Sequence, residues 1–120
     1  MAEEPFDSEV TMAGDERALL AGRYRIVRQL GQGNANGQYF LGAMYERGWG
    51  VAKDYSEALR LYRLSADQGY ADAQNNLGCM YENGFGVAQN RYEAVRLYRM
   101  AANQGEESAI SNLRRLGERW

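Results

Sequence analysis

Apolar residues along the chain recur at steps of three and four. From Ala71 to about Asn83, Ala73, Leu77, Met80 and Tyr81 fall on one helical face, and Gly84 supplies a stop. The loop GFGVAQN then leads to Asn90, which together with Glu93 three residues on has the pattern of a capping box. A second stripe follows in Ala94, Leu97, Tyr98, Ala101 and Ala102 and stops at Gly105, where glycine most easily takes the left-handed cap conformation. Asp54 and Glu57 repeat the capping pattern, and Ala58, Leu61, Tyr62, Ser65 and Ala66 repeat the stripe as far as Gly69. The spacing predicts pairs of helices.

The pairs are copies of one unit. LGAMYERGWGVAKDYSEALRLYRLSADQGYADAQNN (41–76) lies over LGCMYENGFGVAQNRYEAVRLYRMAANQGEESAISN (77–112) with 20 of 36 positions identical and no gap. Leu113 opens a third copy, and GNANGQ (33–38) over GYADAQ (69–74) carries the register back to about Gly33. A helix pair of this size cannot cover its own apolar faces, so neighbouring pairs must stack. The expected fold is all-α, an α-solenoid of antiparallel helix pairs. Gly42 and Gly78 stand in mid-helix, where glycine costs about 1 kcal/mol relative to alanine. A neighbouring side chain pressed against the bare backbone is expected to offset that cost. Ala58, Ala66, Ala94 and Ala102 give similar close approach, while Tyr45, Tyr62, Tyr81 and Tyr98 are expected in the wider gaps.

Composition narrows the chemistry. The 120 residues are 45% hydrophobic and 25% charged, enough for one folded domain. Lys+Arg 14 against Asp+Glu 16 leaves a net charge of -2, with no basic excess to hold nucleic acid or an anionic membrane. With no His and only Cys79, the Ser/His/Asp triad, the Cys/His dyad, Cys/His zinc sites and an intrachain disulfide are all excluded. No catalysis, metal or cofactor is expected. The acidic start MAEEPFDSEVTMAGDE does not read as a secretory signal and no apolar run is long enough to span a membrane, so the expected location is cytoplasmic.

The pattern formed by Ala71, Leu77, Gly78, Tyr81, Gly84, Gly86 and Val87, then Glu93, Ala94, Leu97, Tyr98, Ala101, Ala102 and Gly105, resembles the Sel-one-like repeat, a cousin of the tetratricopeptide repeat. The preceding copy matches through Ala35, Leu41, Gly42, Tyr45, Gly48, Gly50, Val51, Asp54, Ala58, Leu61, Tyr62, Ala66 and Gly69. The resemblance covers roughly 33–118 and implies a tetratricopeptide-like superhelix acting as a non-catalytic scaffold for other proteins, in bacteria often within signalling or envelope-associated assemblies. The family's disulfide-rich secreted branch has paired cysteines that this chain lacks. In the last copy Arg114 replaces the glycine and Gly117 the tyrosine, as a terminal cap would tolerate. The expected organisation is a flexible acidic N-terminus (1–14) and one repeat domain (15–120), made of a partial repeat (15–34), repeats at 35–70 and 71–106, and a capping helix (107–118).

The segment LLAGRYRIVRQLGQG (19–33) resembles the opening of bacterial serine/threonine protein kinases. A phosphate loop of that kind reads G-x-G-x-x-G, whereas Gly31, Gln32, Gly33, Asn34, Ala35 and Asn36 end in asparagine, and no V-A-I-K lysine, H-R-D or D-F-G follows. Leu20, Tyr24, Val27 and Leu30 instead share one helical face, with Asp15 as its cap, and a helix is expected over about 15–32. Alternation at Tyr24, Ile26, Arg28 and Leu30 also fits a strand, which would have no sheet to join.

In tetratricopeptide-like stacks the first helix of each pair lines the inner wall. By analogy the candidate partner-binding residues are Tyr39, Phe40, Glu46, Asn75, Asn76, Glu82, Ser111, Asn112 and Arg115, with Ala43, Arg47, Cys79, Asn83 and Glu118 on the same faces. Tyr39 and Phe40 offer aromatic anchors, and Asn75, Asn76 and Asn112 suit an extended peptide backbone. Phe40 and Asn76 share one repeat position, and a tie between neighbouring helices fits that position as well. Glu46 and Glu82 read as solvated charges, Trp49 and Phe85 as lids on their own helix pairs, and Arg60, Arg63, Arg96 and Arg99 as a solvated outer face. The leading expectation is a protein or peptide partner on the inner wall of a monomer or weak homo-oligomer. The alternatives are a nucleotide-binding remnant of a kinase lobe, resting on Gly31 and Gly33, and a self-associating structural module.

Overall fold

A computed structural model of the chain describes residues 33–120. They form α1 (Ala35–Arg47), α2 (Tyr55–Asp67), α3 (Ala71–Asn83), α4 (Arg91–Ala102) and α5 (Glu107–Arg115), with no strand among the described residues. The acidic stretch 1–14 and the helix expected over 15–32, with Gly31 and Gln32 of the glycine motif, lie outside the described residues. Asn34, the fourth residue of that motif, is the cap of α1, its side chain accepting the Gly37 amide at 2.9 Å.

Local chemistry sets the helix ends. Asp54 and Asn90 cap α2 and α4 by accepting the amides of Glu57 and Glu93 at 3.1 and 3.0 Å. The reciprocal half of the expected capping box does not form. The Asp54 and Asn90 amides already donate to the Tyr45 and Tyr81 carbonyls at 2.9 and 2.8 Å, which frees Glu57 and Glu93 to pair with Arg60 and Arg96. Gly48 and Gly84 close α1 and α3 at φ 71° and 73°, a conformation that L side chains seldom adopt.

The described residues form a helical solenoid in which each helix packs against the next. Its core crosses the repeat boundary. Ala58, Tyr62 and Ala66 of α2 meet Ala73, Leu77 and Met80 of α3 and Leu97 of α4, while Ala94, Tyr98 and Ala101 of α4 meet Ala109 and Leu113 of α5. Each buried leucine or methionine contributes about 1.5–3 kcal/mol relative to exposure, and no single pair encloses enough of them.

Tyr62 and Tyr98 depart from the expectation that tyrosines fill wide gaps. They sit where the helices come closest, and a Cβ on Gly42 would stand 2.8 Å from the Tyr62 ring, as one on Gly78 would from Tyr98. The mid-helix glycines exist to admit these rings. An amide pair ties the two helices of each unit together, Gln68 donating to Gln38 at 2.6 Å and Gln104 to Gln74 at 2.9 Å, and the buried Gln74 also donates to the Ala66 carbonyl of the preceding unit at 3.3 Å.

The loop aromatics also differ from their expected role. Phe85 stacks on Tyr55 of the preceding unit, centroids 4.8 Å apart and planes 6° from parallel, because Gly86 lets the loop lie against the Tyr55 backbone. Trp49 stays open to solvent beneath the Arg47 guanidinium at 4.8 Å. The outer arginines are exposed, as expected, but some reach further than solvent: Arg63 donates to the Tyr81 hydroxyl at 2.9 Å, and Arg99 to the Arg119 carbonyl at 2.6 Å. Among the described residues no helix is long and apolar enough to cross a membrane.

Candidate partner-binding wall

Helical spacing puts residues at i, i+4 and i+7 on one stripe. The repeat therefore produces three stripes: Tyr39, Ala43 and Glu46 on α1, Asn75, Cys79 and Glu82 on α3, and Ser111, Arg115 and Glu118 on and after α5. Side chains bond from one stripe to the next. Asn112 donates to Asn75 Oδ1 at 2.9 Å, the Tyr70 hydroxyl at the head of α3 donates to Asn36 at 2.7 Å, and Tyr39 packs against Tyr70 with centroids 5.3 Å apart. α1, α3 and α5 thus form one continuous wall.

Two polar clusters are built into it. In the first, Tyr62 donates to Glu46 Oε1 at 2.6 Å while Asn76 Nδ2 donates to the Tyr62 hydroxyl at 3.3 Å. In the second, Tyr98 donates to Glu82 Oε1 at 2.7 Å, and Arg115 grips both Glu82 oxygens at 2.8 Å, the two-pronged geometry that makes guanidinium–carboxylate pairs strong. The Cys79 sulfur lies 3.3 Å from the Tyr98 oxygen. Glu46 and Glu82 are therefore half-buried acceptors for buried phenols, not the solvated charges expected of them. A phenol closed in by packing needs an acceptor, and the helix rotation that seats the ring on glycine delivers it to the glutamate one turn further along.

Electrostatics follow from this burial. Both phenols are pushed well above the ordinary tyrosine range, first by desolvation and then by Glu46 at Tyr62 and by Cys79 and Glu82 at Tyr98. Desolvation likewise pushes the Cys79 thiol up. Arg115 holds the Glu82 carboxyl below the usual carboxylate value. The two phenols and the thiol keep their protons at neutral pH while Glu82 stays ionised, and a thiol held protonated lacks the thiolate character that nucleophilic chemistry requires. Among the described residues no group of three or more Asp, Glu, Cys and His side chains is arranged to hold a metal ion.

The candidate residues divide by exposure. Phe40, Ser111 and Arg115 are exposed, and Phe40 at 51% leans edge-on against Tyr39. Tyr39, Glu46, Asn76, Glu82 and Asn112 are half-buried, and Asn75 is only 7% exposed. Asn75 faces Asn112 and Asn76 faces Tyr62, so both hold helices together, and Asn75 has little surface left for a partner. Tyr62 and Tyr98 were absent from the expected set. The signal for them was present: Gly, Glu and Tyr recur together at 42, 46 and 62 and again at 78, 82 and 98.

A comparison with protein families matches the Sel1 repeat at residues 35–70 and 71–106. The chain belongs to the Sel1 repeat family. Several solved structures share the architecture. A protective antigen present in uropathogenic Escherichia coli strains, with an SLR fold, is 38% identical at TM-score 0.71, over 75% of this chain and 20% of that one. A Sel1 repeat protein from Oxalobacter formigenes is 33% identical at TM-score 0.68, over 80% of this chain and 44% of its own. Helicobacter pylori cysteine rich protein B is 29% identical at TM-score 0.70, over 76% of this chain and 71% of that one. The chain thus spans less than half the length of the first two. No curated protein matches it. Sel1 repeat proteins are generally non-catalytic scaffolds for protein interaction.

Proposed function

We propose that the chain is a non-catalytic protein-interaction module that takes a partner protein or peptide along the wall formed by α1, α3 and α5. The supporting observation is the cross-bonding of that wall. Asn75 with Asn112, Glu82 with Arg115 and Tyr62 with Glu46 and Asn76 fix its side chains before any partner arrives, which lowers the ordering cost of association. Phe40 is the exposed aromatic on this face and serves as its anchor, with Ser111 and Arg115 at the far end. The net charge of -2 favours a protein over nucleic acid, and a single half-buried thiol suits the reducing cytoplasm and a monomer or weak homo-oligomer.

Photo-crosslinking tests this. A benzophenone amino acid replaces Phe40 or Ser111 on the wall, or Tyr92, which is 80% exposed on α4, in chain expressed in its native cell. A common partner captured from positions 40 and 111 and missed from 92 is the expected result. Capture from 92 alone would move the binding surface to the opposite row of helices.

A further inference from the structure

The two wall clusters differ in one respect. Position 115 lies one repeat after Cys79, so the place that Arg115 takes beside Glu82 is taken beside Glu46 by a cysteine. Glu82 has both carboxylate oxygens engaged by the guanidinium, with the Tyr98 hydroxyl already seated on Oε1. Glu46 has the Tyr62 hydroxyl on Oε1 in the same way, yet no lysine or arginine among the described residues pairs with it. Its neighbours on the stripe are small: Ala43 on its own helix, and Cys79 across the groove, close enough for the two to interact electrostatically. A cysteine is several atoms shorter than an arginine and brings no guanidinium to the carboxylate. The aromatic pair Tyr39 and Phe40 stands on the same helix, at the end of the stripe away from Glu46.

We infer that the groove between α1 and α3 is a receptor for one arginine side chain of the partner, whose guanidinium pairs with both oxygens of Glu46 as Arg115 pairs with those of Glu82. The chain thereby contains a copy of the proposed bound state, with the second repeat showing how an arginine engages a glutamate whose counterpart in the first repeat pairs with no described lysine or arginine. An arginine is preferred to a lysine because the fork matches two carboxylate oxygens in one plane, one of which already accepts a phenol. The assignment deepens the docking wall proposed for this chain and rests on it.

The test uses the full chain and N-acetyl-arginine methylamide as the probe, followed by backbone amide chemical shifts, which register binding as weak as millimolar. Citrulline and lysine methylamides serve as controls. The expected result is a saturable shift at residues 43, 46 and 79. Glu46→Gln, whose amide oxygen still accepts the Tyr62 hydroxyl, should weaken it by about tenfold. Arg115→Ala should open a second site, with new shifts around Glu82. Equal binding by Glu46→Gln, equal binding of the lysine probe, or no second site in Arg115→Ala would each overturn the assignment. If crosslinking from positions 40 and 111 succeeds while the arginine probe moves none of these amides, the docking wall stands and the guanidinium receptor falls.

Discussion

Replacing Gly78 by alanine sets two effects of known sign against each other. Mid-helix, the change favours folding by about 1 kcal/mol, since alanine loses less backbone freedom. In this structure the new methyl would lie 2.8 Å from Tyr98 Cε1, 2.9 Å from Cδ1 and 3.2 Å from the Ala94 carbonyl oxygen. Overpacking of that kind costs roughly 1–3 kcal/mol. The Tyr98 ring is fully buried and cannot swing aside without giving up its 2.7 Å bond to Glu82, a bond to a charged acceptor worth about 1.5–3 kcal/mol. The clash therefore wins, for a net loss of up to about 2 kcal/mol, and each kcal/mol lowers the melting midpoint by roughly 4–8 °C in a domain of this size. Gly42→Ala meets the Tyr62 ring at 2.8 Å with no backbone oxygen as close as the 3.2 Å seen at Gly78, so it should cost less. Thermal and urea unfolding followed by far-ultraviolet dichroism measures both. In a Tyr98→Leu background the ring is gone and Gly78→Ala should turn stabilising. A wild-type background in which Gly78→Ala raises the midpoint would refute the close-approach reasoning.

The acid limb of stability should report on Glu82. Its carboxyl is held below the ordinary value of 4.5, chiefly by Arg115, so its contribution is complete above that pH and fades as pH falls through the lower folded-state value; Arg115→Gln should flatten this limb, and parallel limbs in both proteins would contradict it. Gly86→Ala should destabilise more than Gly50→Ala in the same unfolding assay. Both positions have positive φ, which costs an L residue about 1–2 kcal/mol, but a Cβ at 86 meets the Tyr55 carbonyl oxygen at 2.8 Å whereas one at 50 meets only Met44 Cε at 3.5 Å; equal losses would discount the stacking of Phe85 on Tyr55 as a tie between units. Cys79, its thiol pushed up by burial, should alkylate at least about tenfold more slowly in the native chain than in urea, as mass spectrometry would show, and equal rates would place the thiol in solvent.

Much of the fold was legible along the chain because its determinants are local or periodic. Asn90 and Asp54 mark helix starts through an oxygen that reaches an amide three residues on, and Gly48 and Gly84 mark ends through a backbone angle. Gly42 and Gly78 announced a close approach, and their own helix propensity made the reason recoverable. The wall was legible as a set of faces. Its bonding was not, since Glu46 and Tyr62 are separated by a loop and the first half of a helix, and the helical period says nothing about which residue of the next helix will lie opposite.

The sequence by itself determined that this protein is a stack of helix pairs, where the capped helices begin, and that a neighbouring side chain must meet bare backbone at Gly42 and Gly78. Those outcomes depend on spacing within one unit and on its exact copying, which a linear chain carries in full. Tertiary structure alone decided that Glu46 and Glu82 receive the buried phenols, that Asn75 turns to Asn112, and that Arg115 completes a pair at Glu82. Each is set by the rotation and offset of one helix against another, fixed when the apolar faces close together and the polar groups left beside them must find partners.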